Sequence, residues 1–146
     1  MRSSFHTTIN VLEGLLRLER ATGGSEEVRK VRLRGEEFLL VRHLFQRKST
    51  SEPVDPDWLR FSFPVQWFYD VSRALDYFCR VGGRPDPRIG EAVDLVRSKR
   101  QPDGTWLLDC RHTGNVHFEL DAGEGQPSRW NTLRALRVLR WFEGQS

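Results

Sequence analysis

Asn10-Val11-Leu12-Glu13-Gly14-Leu15, Asp70-Val71-Ser72-Arg73-Ala74-Leu75 and Asn131-Thr132-Leu133-Arg134-Ala135-Leu136 are one six-residue pattern written three times at a nearly constant interval. Each copy opens on Asn or Asp, carries a small residue fifth and a leucine sixth. Each also begins a segment of helical periodicity, where a small residue beside a leucine lets two helices approach closely. A pattern that returns at such an interval points to a repeated helical unit and so decides the architecture before any single residue does.

The punctuation around the three copies agrees. Gly23-Gly24 and Gly82-Gly83 stand where the first and second helices should stop, since glycine accepts the left-handed conformation of a helix C-terminus. A second helix then follows in each full unit. Ser25 before Glu26 and Glu27 supplies a cap and first-turn acids, and the apolar residues Val28, Val31, Leu39 and Leu40 carry that helix to about Phe45. Asp86 before Pro87 opens the corresponding helix of the second unit, with Ile89, Ala92, Val93, Leu95 and Val96 carrying it to about Lys99. The third unit ends after its first helix, near Phe142. The expected fold is therefore all-α: a single domain over 1–146 of repeated helical hairpins, with units at about 5–64, 65–127 and 128–146, five main helices and two long ordered loops. The loops, about Gln46 to Pro64 and Gln101 to Pro127, are long for a compact domain and rich in Pro, Gly, Asp and Trp. Short strands are expected at Trp106 to Leu108 and at Val116 to Leu120, where apolar and polar residues alternate.

The composition fits one folded domain. The chain has 146 residues with a low apolar fraction of 38%, but five Trp, nine Phe and two Tyr give it rings enough to build a core and set it apart from disordered chains. The net charge is +3, and all but Lys30, Lys48 and Lys99 of the basic residues are arginines. Those arginines alternate with acids, as in Arg17, Glu19 and Arg20, which describes solvated helix faces rather than a nucleic-acid surface. Two cysteines, Cys79 and Cys110, are too few for a disulfide framework and read as reduced thiols of a cytoplasmic protein. Met1 to Phe5 has no signal-peptide pattern, and no apolar run approaches a membrane span.

Lys99-Arg100-Gln101-Pro102-Asp103-Gly104-Thr105-Trp106 has the form Q-x-x-G-x-W and directly follows a helix. The glycine permits a tight turn, the glutamine can satisfy free carbonyls at a helix end, and the tryptophan can plug a gap. Gln101, Gly104 and Trp106 in this arrangement resemble the QW motif of the squalene cyclase and prenyltransferase superfamily, whose members are α/α toroids. Gly35-Glu36-Glu37-Phe38-Leu39-Leu40 resembles the entry to that motif in the first unit, and its later half, Asp55-Pro56-Asp57-Trp58, keeps only the Trp. The resemblance implies a partial toroid, since a closed ring takes roughly twice as many hairpins. A repeat array cut short leaves a terminal face uncovered, so self-association is expected.

Three constellations bear on chemistry. In the cyclases that this chain resembles, an Asp of a D-x-D-D motif protonates an alkene. Here Asp55 and Asp57 supply the first two acids and the pattern then departs, so they are either a weak catalytic pair or turn residues before a short helix near Trp58. Prenyltransferases of the superfamily hold zinc through Asp, Cys and His. Asp109, Cys110, His112, His117 and Glu119 offer such groups, but at no zinc spacing, so neither a metal nor another cofactor is expected. The strongest candidate is aromatic. Trp58, Phe61, Trp67 and Tyr69, with Trp130 and the polar His117 and Arg129, would line the site of an isoprenoid-like ligand, because ring faces stabilise cations and Arg129 stands at a helix start that could meet a diphosphate. Ordinary packing between hairpins is the competing explanation. His6 with Thr7 and Thr8 either lines a cavity mouth or caps the first helix. No G-x-S-x-G, Walker A or H-E-x-x-H motif occurs. The sequence thus leaves two functions open: a toroid-like domain that binds a hydrophobic isoprenoid-like molecule without a complete catalytic motif, or a non-catalytic scaffold or oligomerisation module on the same repeat.

Overall fold

The structure is a computed structural model, and it describes residues 5–47, 50, 52–61, 69–109 and 125–144. The fold is all-α, with helices α1 (Phe5–Thr22), α2 (Glu26–Leu40), α3 (Val71–Val81), α4 (Gly90–Ser98) and α5 (Arg129–Gly144). Two residues of β1 (Trp106–Leu107) pair antiparallel with β2 (Pro127–Ser128). No helix among the described residues is long and apolar enough to cross a membrane.

The helix boundaries follow local chemistry. Ser25 accepts the Val28 N–H and caps α2, while Asp70 accepts the Arg73 N–H and caps α3. Gly23 and Gly24 end α1, and Gly82 ends α3, all in the left-handed region that favours glycine. Asp86 caps as expected, but it starts a single 3-10 turn, Pro87–Ile89, and α4 begins only at Gly90. Helix α2 stops at Leu40 rather than near Phe45. His43 and Leu44 beyond it hold left-handed backbone angles without being glycine. Tertiary contacts hold this turn: Leu44 is fully buried, and the His43 ring contacts the Arg88 carbonyl through Nδ1 at 3.1 Å.

Helices α1 and α2 form one hairpin, α3 and α4 a second, and α5 packs on α3. The close approach within the first hairpin is at Gly35 of α2, where an added Cβ would stand 2.8 Å from the Leu12 side chain. It is not at Gly14, which faces open space. Below it, Arg32 donates to Glu19 at 2.7 Å and to Glu36 at 2.6 Å, and the Tyr77 hydroxyl donates to Glu36 at 2.8 Å. Burial alone would lower the Arg32 pKa, but these partners outweigh it and hold the guanidinium charged.

The first helices of the hairpins stand side by side in register. Arg73 of α3 donates to Glu13 of α1 at 2.6 Å, and further along both helices Arg20 donates to the Arg80 carbonyl. Each pair is 60 residues apart in sequence, so α1 and α3 run parallel. Helix α3 also meets α5, where Asp76 lies 3.6 Å from Arg137, a separation in sequence that nearly repeats the first. Helix α3 therefore lies between two neighbours, and every residue from Val71 to Phe78 is buried. The six-residue stretches meet at one level although their helices start at different points: Asp70 precedes α3, Asn131 is the third residue of α5, and Asn10 lies well inside α1.

Candidate functional site

The aromatic residues separate into two places. Trp58, in a 3-10 turn at Pro56–Leu59, packs its ring 4.5 Å from Phe5 and 5.1 Å from Tyr69, and Phe5 also meets Phe38 at 5.4 Å. These are edge and tilted contacts of a filled core. The Tyr69 hydroxyl donates to the Leu44 carbonyl at 2.5 Å, and burial, aided by the nearby Asp70, pushes its pKa well above the usual range. His6 sits inside α1, one residue past the first described residue of the helix, rather than ahead of it as a cap. Its Nδ1 accepts the Tyr69 N–H at 2.9 Å, which places the ring proton on Nε2. Burial is the largest influence on this imidazole and lowers its pKa, Asp55 opposes that, and Arg73 adds to it.

Asp55 is half-buried ahead of the turn, with its carbonyl accepting the Trp58 N–H. The side chain of Asp57 lies outside the described residues, as do Trp67 and His117 and the strand expected at 116–120. Arg129 is exposed at the start of α5, its guanidinium 5.2 Å above the half-buried Trp130 ring. Among the described residues no group of three His, Cys, Asp or Glu side chains could hold a metal ion.

Phe61 belongs to a second place, a cleft of about 280 Å³ that it lines with Ser98, Lys99, Gln101, Trp106, Leu107 and Asp109. Here the QW-like residues do what their chemistry suggests. Trp106 is fully buried and its indole N–H donates to the Val96 carbonyl at 2.8 Å, while the Gln101 side chain donates to the Lys99 carbonyl at 3.1 Å. Both carbonyls belong to the end of α4: Lys99 is its C-cap residue, and the Val96 carbonyl accepts the Lys99 N–H at 3.1 Å as well as the indole. Gly104, at φ +85°, closes the turn between them. Leaving this turn, the Trp106 N–H donates to Thr132 of α5 at 2.9 Å, so the motif ties α4 to the next unit.

Three further residues complete the cleft, and the motif alone does not point to them. Asp109 accepts from Lys99 at 2.7 Å and from the Phe61 N–H at 2.9 Å. Lys99 also lies 4.9 Å over the Phe61 ring. Asn131, fully buried, donates to the Phe61 and Leu107 carbonyls, and its Oδ1 finds no partner among the described residues. Ser128 caps α5 by accepting the Asn131 N–H at 3.0 Å, and only the tertiary structure shows the Asn131 side chain clamping two loops. The cleft is an ion-paired junction smaller than most small-molecule sites.

The chain matches no family model, no curated protein and no solved structure. The site must therefore be judged on its own geometry.

Proposed function

We propose that this chain is a non-catalytic interaction module built from helical hairpins of the squalene cyclase and prenyltransferase type. One observation carries this. The terminal first helices expose the apolar positions that the central one buries. Val11 and Leu18 of α1 correspond to Val71 and Phe78 of α3, and Leu136 of α5 corresponds to Leu75; the terminal residues are all more than two-fifths exposed, and their counterparts are buried. A unit stacked in an array covers these positions with its neighbour, and an end unit presents them to a partner. The regular spacing of the contacts between first helices and the QW-like turn support the repeat.

Isoprenoid binding has less support. Trp58 and Tyr69 spend their faces on each other and on Phe5, and Phe61 is covered within an ion-paired cleft. Nor do the arginines form a free basic face for nucleic acid, since Arg32, Arg73, Arg88 and Arg97 sit on carboxylates. Thermal unfolding with geranylgeranyl diphosphate and with squalene as probes tests the proposal. No shift in melting temperature is expected. Saturable stabilisation by either probe would overturn it, because a ligand at a hundred times its Kd adds about 2.7 kcal/mol to stability.

A further inference from the structure

Helix α5 carries an outward stripe at the spacing 4, 3, 4, 3: Arg129, Leu133, Leu136, Arg140 and Glu143, all exposed. Such a stripe runs along one side of a helix for about 21 Å. It lies away from the buried positions Asn131, Arg134, Ala135, Val138 and Leu139. Its two leucines are 48% and 44% exposed, the largest adjacent apolar exposure on the helix. Its charges are unequal at the ends, basic at Arg129 and acidic at Glu143.

A twofold axis brings the same patch of two copies together antiparallel, so that residue i of one meets residue j of the other and j meets i. Two registers cover the leucines about equally, so burial does not choose between them and charge does. One stacks Leu133 on the second copy's Leu136 and sets Arg129 against Arg140 twice, which is repulsive. The other places the axis at Leu136. Arg129 then faces Glu143 of the second copy at both ends, and Leu133 lies under the aliphatic stem of Arg140. Glu143 already meets Arg97 at 3.2 Å, but that exposed pair exchanges at little cost. A head-to-tail arrangement is disfavoured instead, because Arg17 stands beside the open face of α1 around Val11, Gly14 and Leu18, and the acids of α1, Glu13 and Glu19, are already held by Arg73 and Arg32.

We propose that α5 is a homodimer interface, paired antiparallel with α5 of a second copy about an axis through Leu136. This rests on the interaction-module function and names its partner as the chain itself. One helix pair buries an area at the low end for specific complexes, so the dimer is weak and depends on concentration.

Sedimentation equilibrium of the whole chain over roughly 5–500 µM tests it. A monomer–dimer equilibrium is expected. Leu136→Asp, at an exposed position, should weaken it on the order of a hundredfold while leaving the melting temperature unchanged. Arg129→Glu and Glu143→Arg should each weaken it, and the two together should restore it, a rescue that only this register provides. A monomer throughout would overturn the interface, and so would association lost in Leu18→Asp, which marks stacking through α1, either head to tail on α5 or on α1 of the second copy. Failure of the double variant to recover would overturn the register. The prenyl and squalene probes decide the module function separately, since they read ligand binding by a monomer or a dimer alike.

Discussion

Leu75 and Leu136 hold the same place in two helices of the same pattern, yet one is fully buried and the other 44% exposed. Arg73 and Arg137 stand at different places in the pattern, where Arg73 matches Arg134, but they too differ in surroundings. Arg73 is buried and spans to both Glu13 and Asn10, whereas Arg137, half exposed, only approaches Asp76 at 3.6 Å. The residue types scarcely differ. What differs is the company of first helices: α3 packs against both α1 and α5, whereas among the described residues α5 packs against α3 alone of the other two. For the leucines, exposure follows the unit's place in the row, whereas the arginines at matching places, Arg73 and Arg134, are both buried.

The leucines give the sharpest way to break this contrast. Leu75→Ala should lower unfolding stability by about 2–5 kcal/mol, because a cavity opens between packed helices. Leu136→Ala should change it by no more than about 0.5 kcal/mol in the monomer. Urea denaturation of both variants at a low micromolar concentration checks this, and equal losses would refute the end-effect explanation. The arginines should differ less. Arg73→Ala removes a buried partner of Glu13 and Asn10 and should cost about 2–3 kcal/mol, against about 0.5 kcal/mol or less for Arg137→Ala. A double-mutant cycle of Arg73 with Glu13 isolates the inter-unit pair.

Most of this contrast is legible in the sequence, but only as a pattern. The three six-residue stretches recur at a near-constant interval, and glycine pairs and Ser25 mark helix ends that need no tertiary help. The end of α2 is not legible, because His43 and Leu44 take left-handed angles only where Leu44 is buried and His43 meets Arg88. Gly14 looks like a contact point from its place in the pattern, yet the contact is at Gly35, since hairpin packing depends on which face α1 turns to α2. At the candidate site, Gln101, Gly104 and Trp106 can be read directly because they act on the helix immediately before them. Lys99, Asp109 and Asn131 cannot, since they act across loops that the sequence leaves unplaced. The aromatic run from Trp58 to Tyr69 suggests one lined site, and chain folding sends its described ends to two.

The smallest expected effect concerns the joint between α1 and the entry to α3. His6 accepts the Tyr69 N–H and has a lowered pKa, so the unfolded chain takes up a proton more readily than the folded one. The stabilisation is complete above the unfolded value near 6.5 and is lost as the pH falls through the lower folded value. His6→Gln should therefore show a shallower fall in urea midpoint between pH 7.5 and 5.5 than the parent chain. An identical fall in both would exclude His6 as the cause.

The 60-residue offset between Glu13 of α1 and Arg73 of α3 also sets an order of events during synthesis. At about 5–20 residues per second, Glu13 waits roughly 3–12 s for Arg73 to be made. During that delay the α1–α2 hairpin has only its own contacts: Leu12 against Gly35, and Glu19 with Glu36 on Arg32. The tight local joint at Gly35 thus holds the nascent amino-terminal hairpin together until the helix that will cover it leaves the ribosome.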